Sequence, residues 1–172
     1  MEIGIRDAAD ADLDAIAAIL NVEIAESPYV YAETCVTLED RRAWLNDHQA
    51  AGFPVLVATR DDEADVVGWA ALSPYRSSSG YRFSAEASVY VARAVHRRGV
   101  GARLVSHLLD RAREGELHAL VASIDADNLA SVALFERFGF VERARLPEVG
   151  RKFDAWRTQV LLHRGLESSS AA

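Results

Sequence analysis

The segment of this 172-residue chain with the clearest chemical potential is His96-Arg97-Arg98-Gly99-Val100-Gly101, two glycines behind a basic run. It follows the apolar run Val89-Tyr90-Val91. It opens a pattern in which Leu104, Val105, Leu108 and Leu109 share one stripe, so the periodicity predicts a helix over 99–114 that begins at the glycines. The first amides of a helix have no backbone partner and the macrodipole is positive there, so the position suits an anion. Glycine removes the Cβ that would keep a phosphate off those amides. Arg97, Arg98 and Arg103 would add charge-assisted contacts to a diphosphate or a ribose phosphate. Two readings stay open on these residues alone: an anion site with a basic rim, or glycines serving tight helix packing beside a solvated arginine face. The turn is not a nucleotide P-loop, which needs Lys and then Ser or Thr after the second glycine. Nor is it the dinucleotide fingerprint, because no third glycine follows three residues on.

Other reactive side chains form weaker patterns. A single cysteine, Cys35, excludes an intramolecular disulfide, and Thr34-Cys35-Val36 has no His or glycine turn to activate a thiolate, so it reads as a packed or incidental thiol. His107 and His118 fall on helix and strand surface positions, and no spacing fits a metal site. Glu86 stands in a strand-like run, where glutamate is disfavoured. A functional carboxylate and a surface carboxylate paired with Arg82 are both open for it. Trp44, Trp69 and Trp156 read as core or dimer surface.

The elements that must position these residues follow from pattern. A strand over 2–6 leads into a helix with Leu13, Ile16, Ala17, Leu20 and Ile24 on one stripe, which must stop at Ser27-Pro28. Residues 28–36 read as an irregular connection. Thr37-Leu38-Glu39-Asp40 resembles a capping box opening a helix over 38–51. Strands over 54–59 and 66–72 form a hairpin across the charged turn 60–65, a loop follows at Ser77 to Gly80, and a strand covers 85–91. After the helix over 99–114 come a strand over 118–124, a helix over 128–138, and strands over 139–146 and 152–162. The order β-α-α-β-β-β-α-β-α-β-β predicts a mixed sheet with helices on both faces.

With 50% apolar and 26% charged residues, the composition is that of one globular domain. A formal charge of -7 argues against broad electrostatic capture of nucleic acid or of an acidic membrane. Met1 to Arg6 has neither a basic n-region nor an apolar h-region, and no apolar stretch approaches spanning length. The expectation is a soluble, cytoplasmic protein with no nucleic-acid or membrane partner.

At three linked places the chain resembles the GCN5-related N-acetyltransferase (GNAT) superfamily: Val89-Tyr90-Val91, His96 to Ala102, and Asn128-Leu129-Ala130-Ser131 leading to Phe135-Glu136-Arg137-Phe138-Gly139-Phe140. More narrowly it is similar to the phosphinothricin and methionine sulfone/sulfoximine acetyltransferases, through Gly80-Tyr81-Arg82, Glu86 to Val91 and Leu146 to Phe153. The resemblance runs from Ile5-Arg6 to about Leu162. It implies one N-acetyltransferase domain over 1–164 and a flexible tail over 165–172. The implied fold class is α/β (α+β): the GNAT fold, with a mixed, mostly antiparallel central sheet, a splayed strand pair and helices on both faces.

The same resemblance implies acetyl-CoA as cosubstrate and no metal. Pantetheine would lie in a gap between the strands at 85–91 and 118–124, paired with backbone groups of Val89, Tyr90 and Val91 as a further strand would be. The pyrophosphate would meet Arg97, Arg98, Gly99, Val100, Gly101 and Ala102. Asn128 and Ser131 match positions near the cofactor, although Asn128 by itself reads as a helix cap. Forming an amide needs a neutral amine, and Glu86 matches the subfamily's general base. A strand amide near Val89 would stabilise the oxyanion. Arg76 would meet a carboxylate of an amino-acid-like substrate. Ser77 and Ser78 stand beside it where relatives carry Pro and an aromatic.

Two departures stand out. His96 replaces the usual Gln or Arg. Phe135 replaces a Tyr, or in this subfamily often a His, that would protonate the leaving thiolate. A thiolate of pKa about 8.5 leaves without such help. The expected reaction is acetyl transfer to the amine of phosphinothricin or methionine sulfoximine or sulfone by direct attack, in a homodimer. The alternatives are a protein N-terminus, a polyamine or an antibiotic amine as acceptor, or a non-catalytic acyl-CoA-binding domain.

Overall fold

The computed structural model describes residues 2–166. Seven strands form one sheet: β1 (Ile3–Asp7), β2 (Val55–Arg60), β3 (Asp62–Pro74), β4 (Ser84–Val91), β5 (Ala119–Asp125), β6 (Val141–Lys152) and β7 (Ala155–Gly165), in the spatial order β1-β2-β3-β4-β5-β7-β6. Every neighbouring pair is antiparallel except β4 with β5. Side chains alternate across a strand, so each strand feeds two cores. On one face Leu13, Ile16 and Leu20 of α1 (Leu13–Glu26) and Leu45 of α2 (Leu38–Ala50) bury Val57, Trp69 and Ala71. On the other, Leu104, Val105 and Leu108 of α3 (Val100–Glu114) and Phe135 of α4 (Leu129–Arg137) bury Leu56, Ala70 and Leu72. The mixed sheet with helices on both faces is therefore present. No helix among the described residues is long and apolar enough to cross a membrane.

Local signals held where they rest on short-range chemistry. Thr37 Oγ1 accepts from the Asp40 amide at 3.1 Å and Asp40 Oδ2 accepts from the Thr37 amide at 2.7 Å, the reciprocal capping box that starts α2. Boundaries moved where pairing decides them. The charged turn expected over 60–65 tightens, with Asp61 at φ 50 and β3 already begun at Asp62. β6 continues past residue 146 to Lys152. β7 runs through Gly165, and Leu166 is buried with its amide on the His118 carbonyl, so of the expected 165–172 tail the first residue belongs to the sheet and the second to the core; residues 167–172 lie outside the described residues.

The irregular segment 28–36 is held from several sides. Asn21 donates to the Val36 carbonyl at 2.9 Å and accepts from its amide at 2.8 Å. Lys152, buried, donates to the Ile24 carbonyl at 2.7 Å and to the Ala32 carbonyl. The Ile24 carbonyl belongs to the last turn of α1, where the helix dipole is negative, so the ammonium is compensated there with no carboxylate among the described residues. Tyr31 donates to Asp125 Oδ2 at 2.9 Å. Its ring lies so close to Gly150 that a Cβ there would sit 2.5 Å from two ring carbons. Gly150→Ala should therefore cost about 1–3 kcal/mol through overpacking. Urea denaturation should show a lower midpoint at unchanged slope, with the loss relieved when Tyr31 is also replaced by Leu; an unaltered midpoint would contradict the contact.

Candidate active site

The parallel pairing of β4 with β5 is short: Ser84 with Ala119, Ala85 with Leu120, and Glu86 with Val121. Beyond Glu86 the strands part. β4 continues to Val91 against β3 alone, and β5 continues to Asp125 against β7 alone. The register of β4 on β3 runs unbroken from Pro74 with Ala85 to Gly68 with Val91. Because the Ala92 amide bonds the Val67 carbonyl at 2.9 Å, alternation along an antiparallel ladder turns Tyr90 toward β3 and leaves the peptide groups of Val89 and Val91 facing the gap. The Val91 carbonyl is taken by His96, whose Nε2 donates to it at 2.9 Å. The Val89 peptide and the Val91 amide remain for a ligand carrying its own amides. His96, the first departure, thus ties the turn to the end of β4.

At the mouth of that gap the turn lies in left-handed conformations, with Arg97 at φ 61 and Gly99 at φ 81. Gly99 precedes α3 without a side-chain cap. The bond from the Arg103 amide to the Gly99 carbonyl, 3.1 Å, begins the helix and leaves the amides of Val100, Gly101 and Ala102 before it. A Cβ on Gly101 would meet Leu134 at 3.1 Å and Val91 at 3.7 Å, so glycine here keeps α3, α4 and the strand end close together. Arg97 and Arg103 are exposed. Arg93 is drawn away from the basic cluster, bonding Glu23 at 2.8 Å and Glu26 at 2.5 Å. An unpaired strand edge leading to uncapped helix amides fits an extended arm that ends in a diphosphate.

The opposite face of β4 carries Glu86, Ser88 and Tyr90, since Tyr90 packs in the α1–α2 core and Ala87, Val89 and Val91 in the α3 core. Glu86 is half-buried. Arg82, its conceivable ion-pair partner, instead donates to the Ser79 carbonyl at 3.1 Å and lies over Phe83. Ser73 sits across from Glu86 in the register and bonds His48 Nε2 through Oγ at 2.8 Å. His48 Nδ1 lies 2.8 Å from the Trp44 carbonyl, which can only accept, so Nδ1 carries the proton. Burial lowers the His48 pKa and keeps the ring neutral. Nε2 therefore accepts, the Ser73 hydroxyl points at it, and the Ser73 lone pairs are left beside Glu86. Sequence reasoning missed both residues, because only the strand register brings them to Glu86.

Of the other expected residues, Arg76, Ser77 and Ser78 lie exposed in the loop after β3, the Arg76 guanidinium 5.2 Å from the Tyr75 ring and 5.7 Å from the Tyr81 ring. Asn128 Oδ1 accepts from the Ser131 amide at 3.2 Å, which makes it the cap of α4. Phe135 is buried edge-on against Phe140 at 5.0 Å. Among the described residues no group of His, Cys, Asp or Glu side chains could hold a metal ion.

The sequence model described as the Acetyltransferase (GNAT) family matches residues 16–140. The chain belongs to the GNAT acetyltransferase family. It is 37% identical, over 100% of its own length and 99% of the relative's, to an L-methionine sulfoximine/L-methionine sulfone acetyltransferase of Pseudomonas aeruginosa. With a phosphinothricin N-acetyltransferase of Streptomyces coelicolor the identity is 36%, covering 88% of this chain and 90% of the other. A solved putative acetyltransferase from Salmonella typhimurium with its cofactor acetyl-CoA superimposes with a TM-score of 0.93 at 34% identity, covering 100% of this chain and 98% of that one. This GNAT protein is thus an acetyl-CoA-dependent N-acetyltransferase, and the parting of β4 from β5 is the family's splayed strand pair.

Proposed function

We propose that this enzyme moves the acetyl group of acetyl-CoA directly to the α-amine of a small amino acid such as methionine sulfone, methionine sulfoximine or phosphinothricin, with Glu86 as general base. The observation that carries the reading is the position of Glu86: it is the last β4 residue paired with β5, at the apex of the gap and on the face opposite α3. A carboxylate at that apex meets an amine arriving from the α1–α2 side. There it takes the proton that must leave before nitrogen can attack. Acetyl-CoA supplies the activated acyl group. Val89 and Val91, either side of Tyr90, hold its pantetheine by main-chain pairing, while the Tyr90 peptide stays bonded to β3, and Gly99, Val100, Gly101 and Ala102, with Arg97 and Arg98 at the rim, hold its diphosphate. The Val89 amide faces the gap and donates to the developing oxyanion. Asn128 and Ser131 flank the cofactor from α4. Arg76, with Ser77 and Ser78, meets a polar end of the acceptor at the pocket mouth.

Phe135 has no proton to give, so the thiolate leaves unassisted or takes its proton from water. A single exposed cysteine suits the reducing cytoplasm. Val149, Phe153 and Trp156, exposed on the β6–β7 hairpin, support a homodimer.

Thiol release from acetyl-CoA over an amine panel tests the reading. The panel comprises L-methionine sulfone, L-methionine sulfoximine, phosphinothricin, spermidine, an aminoglycoside and a peptide with N-terminal alanine. The amino-acid group should exceed the others in kcat/KM by about 100-fold or more, on the way to the roughly 10⁴-fold by which a site built to hydrogen-bond its substrate rejects an analogue that cannot. Fastest turnover with any of the last three, or tight acetyl-CoA binding without thiol release, would overturn it.

A further inference from the structure

Arg41, in the first turns of α2, carries a charge with no ion-pair partner among the described residues. Its guanidinium lies 4.7 Å from the Trp44 ring centroid, and its Nε is buried without a hydrogen-bond partner among those residues. Its neighbour Arg42 reaches Asp10 at 3.8 Å, whereas Arg41 makes no such ion pair among the described residues. Burial pulls the Arg41 pKa down, while Asp40 and Tyr90 act in the opposite sense. Its place near the N-terminus of a 13-residue helix adds the positive end of the macrodipole.

Beside it stands a second unsatisfied donor. Trp69 is 3% exposed and its Nε1 also lacks a partner among the described residues. The Trp69 ring meets Trp44 edge-on at 5.4 Å and stacks on Tyr90 at 4.6 Å. A guanidinium and an indole N–H thus converge on one aromatic cluster, and among the described residues no acceptor meets the Arg41 Nε or the Trp69 Nε1. The Tyr90 phenol links this cluster to the proposed base, because Glu23, Glu86 and Arg41 all act on it through space. Glu86 and Tyr90 share one face of β4, and with Glu23 paired to Arg93 the charges left at its two ends are the Glu86 carboxylate and the Arg41 guanidinium. That is the complement of a zwitterion.

We propose that Arg41 receives the α-carboxylate of the acceptor amino acid and so orients its amine toward Glu86, an inference that rests on the reading of this protein as an amino-acid N-acetyltransferase. The guanidinium fork matches a carboxylate in two parallel hydrogen bonds, and Trp44 holds the plane in place. Arg76, which the resemblance sets against a carboxylate, is exposed, with the Tyr75 and Tyr81 rings 5.2 and 5.7 Å away, and is left for the sulfone or phosphinate end.

The test compares L-methionine sulfone with 3-(methylsulfonyl)propylamine, the same amine without its carboxylate, in the wild type and in Arg41→Gln and Arg41→Lys, with Arg42→Gln as a neighbouring control. Arg41→Gln should raise the KM for L-methionine sulfone about 30-fold or more, the scale of a lost charge-assisted pair, and leave the KM for acetyl-CoA unaltered. Its kcat/KM for the decarboxylated amine should stay within about twofold of wild type, since that amine never uses the pair. Arg41→Lys, which keeps the charge without the fork, should fall between. An equal loss on both amines, or a loss on neither, overturns the assignment. A wild type that does not favour the carboxylate-bearing amine overturns the amino-acid reading itself, and the assignment with it.

Discussion

Glu86→Gln should lower kcat by about 100-fold or more while acetyl-CoA binding, read by calorimetry, stays unchanged. The substitution keeps the shape and the half-burial of the side chain and removes only its ability to take a proton. The pantetheine and diphosphate contacts assigned to Val89, Val91 and the first amides of α3 lie on the other side of the strand, so cosubstrate affinity has no reason to move. The deficit should also depend on pH. A base is needed because the acceptor arrives protonated at neutral pH; as the pH rises toward the amine's own pKa, solvent does that work and the variant should recover toward wild type. A deficit that stays constant with pH would assign Glu86 to positioning the amine, and unchanged turnover would remove it from the mechanism. On this proposal the Ser73 lone pairs beside Glu86, fixed by His48, would offer the ammonium group a second acceptor before the proton leaves.

What the sequence made legible was whatever depends on neighbours along the chain. The stripe of Leu13, Ile16, Leu20 and Ile24 marks α1, Thr37 and Asp40 mark the start of α2, and Gly99 marks the turn before α3; each sets its element with residues at most a few turns away. What stayed hidden depends on register and on contacts across the fold. The strand expected over 139–146 runs on through Pro147 and Gly150 to Lys152, because a register shift between Leu146 and Gly150 absorbs the interruption. Nothing in the local pattern marks Lys152, whose ammonium is buried on the carbonyls at the end of α1 and in the segment after it. Arg41 looks like any polar-face residue of α2 until the aromatic cluster beneath it is known. The resemblance named the GNAT gap and Glu86; that β4 and β5 part immediately after Glu86 required the strand pairing itself.

Asp125→Asn should destabilise the protein by about 3 kcal/mol, at the low end for breaking a buried ion pair because Arg157 keeps Asp127 as a partner. Asp125 is 3% exposed and collects four hydrogen bonds: two from Arg157 at 2.8 Å each, one from Tyr31 at 2.9 Å and one from the Asp127 amide at 2.9 Å. Burial alone would push its carboxyl up; the Arg157 fork, the Asp127 amide and the Tyr31 hydroxyl outweigh it and hold the group below the usual carboxylate range. A group depressed in this way stabilises the fold at neutral pH, and that contribution is lost as the pH falls through its folded pKa. The stability gap between wild type and Asp125→Asn, measured by urea unfolding, should thus be widest near neutrality and narrow below about pH 4, the ordinary range for Asp. Tyr31 ties Asp125 to the segment after α1, so hydrogen exchange in the variant should accelerate first over residues 28–36. A gap that persists undiminished into acid would mean that the amide, not the lost charge, disrupts the site, and the ion-pair account of this end of the sheet would fail.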